Sequence, residues 1–76
     1  MNWDIVKGNA KQLQGMLKQK WAKLTDDDLQ LVSGKSEVFL GRLQERLGIR
    51  RDEIELTLDS MLKQLGKPTH THTRPH

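Results

Sequence analysis

The side chains in this sequence best suited to bind a transition metal are three alternating histidines, His70, His72 and His76. Their imidazole rings could converge on one ion where the chain bends. The residues between them are threonine, arginine and proline, which offer no apolar core and so no folded surroundings to orient the rings. We therefore expect a solvated, flexible tail over residues 67–76, with no physiological metal site and no cofactor.

Three consecutive aspartates, Asp26, Asp27 and Asp28, are the other concentrated group of metal-binding or acid–base side chains. A calcium loop needs alternating oxygen ligands, a turn glycine and a distal glutamate, and this segment lacks that pattern. Thr25 is a strong helix N-cap residue, and Asp28 stands three positions on, where a carboxylate completes a capping box. The aspartates therefore predict the start of a helix.

Patterns typical of enzymes are missing from the sequence. Ser33, Ser36 and Ser60 have no histidine near them in sequence, and no Gly-Xaa-Ser-Xaa-Gly turn occurs. No glycine-rich loop follows an extended segment, so a nucleotide site is also unsupported. We expect a protein that is not an enzyme and has no catalytic residues.

Basic side chains concentrate at the start of the chain, where residues 1–24 carry five lysines against one aspartate, in a protein of net charge +3. Lys7, Lys11 and Lys18 are the candidate contacts for a polyanion such as nucleic acid. The alternative interpretation is a solvated helix face.

Four glycines form two pairs, each seven residues apart: Gly8 with Gly15, and Gly34 with Gly41. Gly8 and Gly15 lie on the side of the first predicted helix opposite its apolar residues, and Gly41 lies on the back of the third. One interpretation is an interaction face that admits a protein partner or a second copy of the chain at close range. The other is structural, namely a bend in the helix or a close crossing within the molecule.

Apolar spacing predicts the elements that carry these residues. A first amphipathic helix is expected from Val6 to Leu24, with Trp3 on the same line, and a second from Asp26 to about Ser33, where Gly34 offers a left-handed stop. A third helix is expected from Lys35 to Leu47. The fourth carries Ile54, Leu58, Met61, Leu62 and Leu65 on one face, whereas Leu56 lies on its outer side. Gly48 and Gly66 are expected to end the third and fourth helices.

Residues 8–29 and 34–54 repeat one unit, a helix followed by a tight turn and a new helix start. Because one helical hairpin has no partner for its apolar stripe, two of them are expected to pack on each other. The prediction is an all-α, four-helix domain of two packed hairpins over residues 1–66. The absence of cysteine, of a signal-like segment and of a long apolar run favours a cytoplasmic protein with no membrane association.

The ordered combination of these residues resembles the CsbD-like family of small bacterial stress-response proteins over about residues 1–60. The residues that carry the resemblance are Gly8, Lys11, Gln12, Gly15, Lys18, Trp21-Ala22-Lys23-Leu24-Thr25-Asp26-Asp27-Asp28, Gly34-Lys35, Gly41, Leu43-Gln44-Glu45-Arg46 and Gly48. The chain departs from the family's usual pattern at Met16, Ala22 and Leu47. The resemblance implies a four-helix protein of the bacterial cytoplasm, abundant under general stress, and it implies no molecular activity.

We therefore expect a non-enzymatic protein of the general stress response that acts by weak macromolecular binding or protection. The alternative is nucleic-acid binding through the basic first helix, by analogy with other paired helical hairpins.

Overall fold

The computed structural model describes residues 2–67, and in that range the chain forms α-helices, one short 3₁₀ helix and no strand. The elements in chain order are α1 (Trp3–Gly8), α2 (Ala10–Lys20), α3 (Asp26–Gln30), the 3₁₀ helix (Leu31–Ser33), α4 (Ser36–Leu47) and α5 (Arg51–Gln64). The all-helical prediction is confirmed for this part of the chain. Residues 2–67 form five α-helices and not the predicted four, and the two-hairpin repeat is not confirmed.

The predicted first helix is interrupted at Asn9, which separates α1 from α2. Gly8 weakens the helix just before this point, since glycine is a poor helix former. The Asn9 side chain donates a hydrogen bond to the Ile5 carbonyl at 2.8 Å, and its backbone leaves the helical region at φ −116° and ψ 21°. This local side-chain bond competes with the helical pattern, which apolar spacing alone does not reveal.

The first segment also ends earlier than predicted, at Lys20 and not at Leu24. Trp21 leaves the helical conformation, and the amide of Leu24 bonds back to its carbonyl at 3.0 Å. The Leu24 carbonyl in turn accepts a hydrogen bond from Nζ of Lys18 at 2.9 Å. The turn that precedes α3 is therefore closed by both backbone and side-chain contacts.

The predicted start of α3 is confirmed. The Asp28 amide donates to Oγ1 of Thr25 at 3.2 Å, and the Thr25 amide donates to Oδ2 of Asp28 at 3.1 Å, which is a complete capping box. The predicted left-handed stop at Gly34 is wrong. Gly34 has φ −108° and ψ −142°, which is outside the left-handed region. The 3₁₀ helix ends the segment instead, with a hydrogen bond from the Gly34 amide to the Leu31 carbonyl.

Glycine ends both later helices, as predicted. Gly48 has φ 68°, in the left-handed region, directly after α4. Gly66 has φ 75°, and the amides of Gly66 and Lys67 bond to the carbonyls of Lys63 and Leu62. This paired arrangement is a Schellman motif, which satisfies carbonyls left free at the end of α5.

The core is apolar and is shared by all the helices. α2 packs against α3 and α5, α4 packs against α3 and α5, and the 3₁₀ helix contacts α1, α2 and α4. None of the described helices has the length and apolar character needed to span a membrane. The buried apolar residues are Val6, Ala10, Leu13, Leu17, Leu24, Leu29, Val32, Phe39, Leu40, Leu43, Ile54, Leu58, Met61 and Leu62.

The predicted flexible tail over residues 67–76 lies, apart from Lys67, outside the described residues. The same holds for the three histidines, and the domain boundary at residue 66 stays a prediction.

Candidate functional site

The four predicted glycines do not share one setting. Gly8 ends α1, Gly15 and Gly41 lie inside α2 and α4, and Gly34 lies in the loop before α4. A Cβ atom added at Gly8, Gly15 or Gly41 would have no heavy atom of another part of the chain within 4 Å, whereas at Gly34 it would lie 3.5 Å from the Leu31 carbonyl oxygen. Within the described chain, no other helix crosses closely at Gly8, Gly15 or Gly41, and the bare backbone at these glycines faces open space.

The three predicted lysines also differ in their environment. Lys7 and Lys11 are exposed on α1 and α2. Lys18 is exposed as well, but its ammonium group donates to the Leu24 carbonyl and so helps to hold the loop that follows α2. One of the three candidate polyanion contacts therefore has a structural role.

Asp28 is the one buried charged residue of the described chain, with 0 % of its surface exposed. Arg46 donates to it from Nε to Oδ2 at 2.8 Å and from Nη2 to Oδ1 at 3.1 Å, and Arg42 donates from Nη1 to Oδ1 at 3.0 Å. Together with the Thr25 amide, these donors supply the carboxylate with four hydrogen bonds, two to each oxygen. The cluster ties the start of α3 to α4.

Burial alone would raise the pKa of Asp28. The hydrogen bonds from Arg46, the Thr25 amide and Arg42 favour the ionised carboxylate more strongly, so the pKa lies well below its ordinary value of 3.8. A carboxylate held ionised and fully paired cannot act as a general base near neutral pH. The cluster is therefore a structural clamp.

Sequence reasoning assigned Asp28 to the capping box and missed both arginines. The available signal was the spacing of Arg42 and Arg46, which are four residues apart and so project from one side of α4. Nothing in the sequence identified which carboxylate they meet.

An open groove of about 520 Å³ lies between α2 and α5. The α2 wall consists of Met16, Gln19 and Lys20. The α5 wall consists of Glu53, Leu56, Thr57, Ser60, Met61 and Gln64. The lining therefore combines three apolar side chains, Met16, Leu56 and Met61, with polar and charged ones.

Two large apolar side chains are exposed in the described chain, Leu56 at 68 % and Val38 at 49 %. Leu56 lines the groove, whereas Val38 lies on α4 outside it. The two tryptophans are half-buried and pack against the core, and the ammonium group of Lys20 lies 6.0 Å from the ring centroid of Trp21.

Residues 2–67 contain no group of three metal-binding side chains that could hold an ion. Oδ1 of Asp59 is buried and has no hydrogen-bond partner within the described chain, and nothing in the structure explains it.

Comparison with known proteins places the chain in a family. The CsbD-like family profile matches residues 4–55. The UPF0337 protein YjbJ of Escherichia coli strain CFT073 is 44% identical over 64 residues, which cover 84% of this chain and 93% of that protein. A UPF0337 protein of Pseudomonas aeruginosa is 49% identical over 55 residues, covering 72% of this chain and 85% of its own length.

A third relative, a UPF0337 protein of Rhodopseudomonas palustris, is 43% identical over 65 residues, covering 86% of this chain and 98% of its own. No solved structure matches the chain significantly. The chain belongs to the CsbD-like family, which confirms the resemblance deduced from its residues.

Proposed function

We propose that this CsbD-like chain is a non-enzymatic, cytoplasmic protein of the general stress response that protects other proteins through weak contacts with them. The observation that carries the proposal is the bare backbone at Gly15 and Gly41. Each glycine lies inside a helix, where it costs about 0.5–1 kcal/mol of stability relative to alanine. No heavy atom from elsewhere in the described chain would lie within 4 Å of a Cβ atom at either position, so the fold does not require glycine there.

A residue that is unfavourable for its own helix, and that the fold does not require, is typical of a functional position. A glycine on an exposed helix face lets another backbone approach the helix closely, which a larger side chain would prevent. The lysine Lys11 and the glutamines Gln12 and Gln19 surround Gly15 on the exposed part of α2 and supply hydrogen-bond donors and acceptors. We infer that these helix backs contact partner proteins weakly, in the manner of a hydrophilic protectant.

The direct test is aggregation of a heat-labile client enzyme, such as citrate synthase, followed by light scattering with and without this protein. The test variant is the double change Gly15→Gln and Gly41→Gln, which adds polar bulk and a better helix former without adding an apolar patch. We expect this variant to be at least as stable as the wild type and to lose most of the protection.

Two controls make the result specific. Gly15→Ala with Gly41→Ala adds a single methyl group to each helix and should retain more protection than the glutamine variant. An equal mass of serum albumin measures the effect of protein concentration alone. Equal protection by the wild type and the glutamine variant would show that the bare backbone has no part in the activity.

Nucleic-acid binding is the alternative function, and the exposed Lys7 and Lys11 are its main support. Binding to phosphates must weaken steeply as salt rises. Titration of fluorescent duplex and single-stranded DNA at about 50 mM salt and at about 200 mM salt therefore separates the two functions. A salt-dependent affinity that falls in a Lys7→Gln and Lys11→Gln variant would favour nucleic acid over protein protection.

A further inference from the structure

The groove between α2 and α5, with Leu56 exposed beside it, has no partner in the described chain. We propose that this face is a weak two-fold interface and that a second copy of this chain occupies the groove. The inference does not depend on the protective function proposed above, because the partner is a second copy of this chain and not a client protein, although Gln19 borders both surfaces.

The groove carries both a projecting apolar side chain and an apolar recess. Leu56 projects from α5 with 68 % of its surface exposed, while Met16 and Met61 contribute apolar surface to the recess beside it. In a two-fold dimer the same patch meets itself, so the Leu56 side chain of each copy can enter the groove of the other. Methionine side chains are flexible enough to adapt to such an insertion. The patch therefore carries both the projecting group and its receptor.

The charges of the groove are self-complementary as well. Lys20 lies on the α2 wall and Glu53 lies on the α5 wall. Among residues 2–67 neither side chain forms an ion pair within 4.0 Å. In the proposed dimer the two-fold axis runs along the groove, so the α2 wall of each copy, which carries Lys20, faces the α5 wall of the other, which carries Glu53. A partner with one sign of charge would instead be repelled by one of the two walls.

The small size of the groove favours a transient dimer. A stable interface of standard size uses about 20–30 residues from each partner, and this groove is lined by far fewer. The dissociation constant is therefore expected on the order of 10–100 µM, typical of a transient dimer.

Sedimentation velocity over protein concentrations of about 5–500 µM spans this range and reports the mass directly. The wild type is expected to shift from monomer to dimer across the series. Leu56→Gln removes the projecting apolar group without touching the core and is expected to raise the dissociation constant at least about tenfold, since the side chain acts twice in a two-fold interface. Val38→Gln is the matched control, because it removes the other exposed large apolar side chain, and it should leave the dissociation constant unchanged.

A charge exchange tests the predicted pairing. Lys20→Glu alone and Glu53→Lys alone should each weaken the dimer, since both place like charges opposite each other. The double variant Lys20→Glu with Glu53→Lys should restore it. Lys20→Glu places a negative charge at the C-terminal end of α2, and Glu53→Lys places a positive charge at the N-terminal end of α5; both changes are unfavourable for the helix dipole. The double variant therefore has a less stable monomer than either single variant, so recovery of the dimer cannot result from greater monomer stability.

Three outcomes would overturn the inference. They are a wild type that stays monomeric at about 500 µM, a Leu56→Gln variant that dimerises like the wild type, and a double charge variant that dimerises no better than either single one. Circular dichroism of every variant confirms that the helices are intact.

Discussion

Asp28 joins two functions in one carboxylate, since it completes the capping box of α3 and pairs with Arg42 and Arg46 of α4. The first function depends on residues three positions apart and was predicted from the sequence. The second depends on residues 14 and 18 positions away, and such long-range pairings are fixed by packing. A buried carboxylate without these partners would carry a large desolvation cost.

Asp28→Asn is therefore expected to destabilise the fold by about 2–3 kcal/mol, because it removes the charge that pairs with both arginines and replaces one of the two accepting oxygens by an NH2 group. A small core of this size supplies only about 3–5 kcal/mol in total, so the change should be evident in urea denaturation followed by circular dichroism. Asp27→Asn is the matched control, since Asp27 is exposed on the same turn and contributes to the helix dipole alone, up to about 1 kcal/mol. Equal losses in the two variants would contradict the clamp.

The depressed pKa of Asp28 also predicts how stability depends on pH. A carboxyl whose folded pKa lies below its unfolded value stabilises the fold fully above the unfolded value of 3.8, and this contribution is lost as the pH falls below it. Arg42 and Arg46 remain charged throughout, so the titration is that of the carboxylate. Between about pH 6 and about pH 2 the free energy of unfolding should fall less steeply in Asp28→Asn than in the wild type. Parallel pH profiles would show that Asp28 makes no such contribution.

At the scale of the elements, the sequence predicted those helix ends that depend on local chemistry. Thr25 and Gly48 act as predicted because capping depends on a few adjacent residues. The break at Asn9 was missed because apolar spacing continues through it, and the side-chain bond of Asn9 to Ile5 leaves no mark on that spacing. Gly34 was misassigned because the 3₁₀ helix ends the segment without a left-handed residue.

Substitution by alanine should distinguish the glycines inside helices from the glycine with a left-handed backbone. Gly15→Ala and Gly41→Ala are each expected to stabilise the protein by about 0.5–1 kcal/mol, because both positions are helical and a Cβ has open space there. Gly48→Ala is expected to destabilise it by about 1 kcal/mol, because φ is 68° at that position. Thermal unfolding followed by circular dichroism measures all three. Destabilisation by either helical alanine would reveal a packing constraint at that glycine.

For the molecule as a whole, the sequence predicted the helical class and the buried face of α5 but not the candidate groove. Apolar periodicity identifies the face that each helix buries, because the residues of that face recur every three or four positions within one segment of the chain. The groove exists because α2 and α5 meet, and its walls are more than thirty residues apart in the sequence. Leu56 could be identified as exposed, but its neighbours Met16 and Lys20 could not.

The attachment of α1 to the rest of the molecule depends on a few contacts, which leads to a final prediction. α1 has six residues and would not be stable alone. The indole N–H of Trp3 donates to the Gly34 carbonyl at 2.6 Å, and its ring lies 5.7 Å from that of Phe39. Once the Trp3 side chain is removed, the buried side chain of Val6 is the main remaining anchor of α1, so Trp3→Ala should release α1 while the other helices stay folded.

Hydrogen exchange followed by NMR measures this release for individual amides. In Trp3→Ala the amides of Val6 and Asn9, which bond within α1, should lose protection, whereas amides inside α4 and α5 should keep theirs. Trp21→Ala is the matched control, because Trp21 is also half-buried against the core but lies at the end of α2. Equal loss of protection in all helices of Trp3→Ala would mean that α1 unfolds only together with the whole domain.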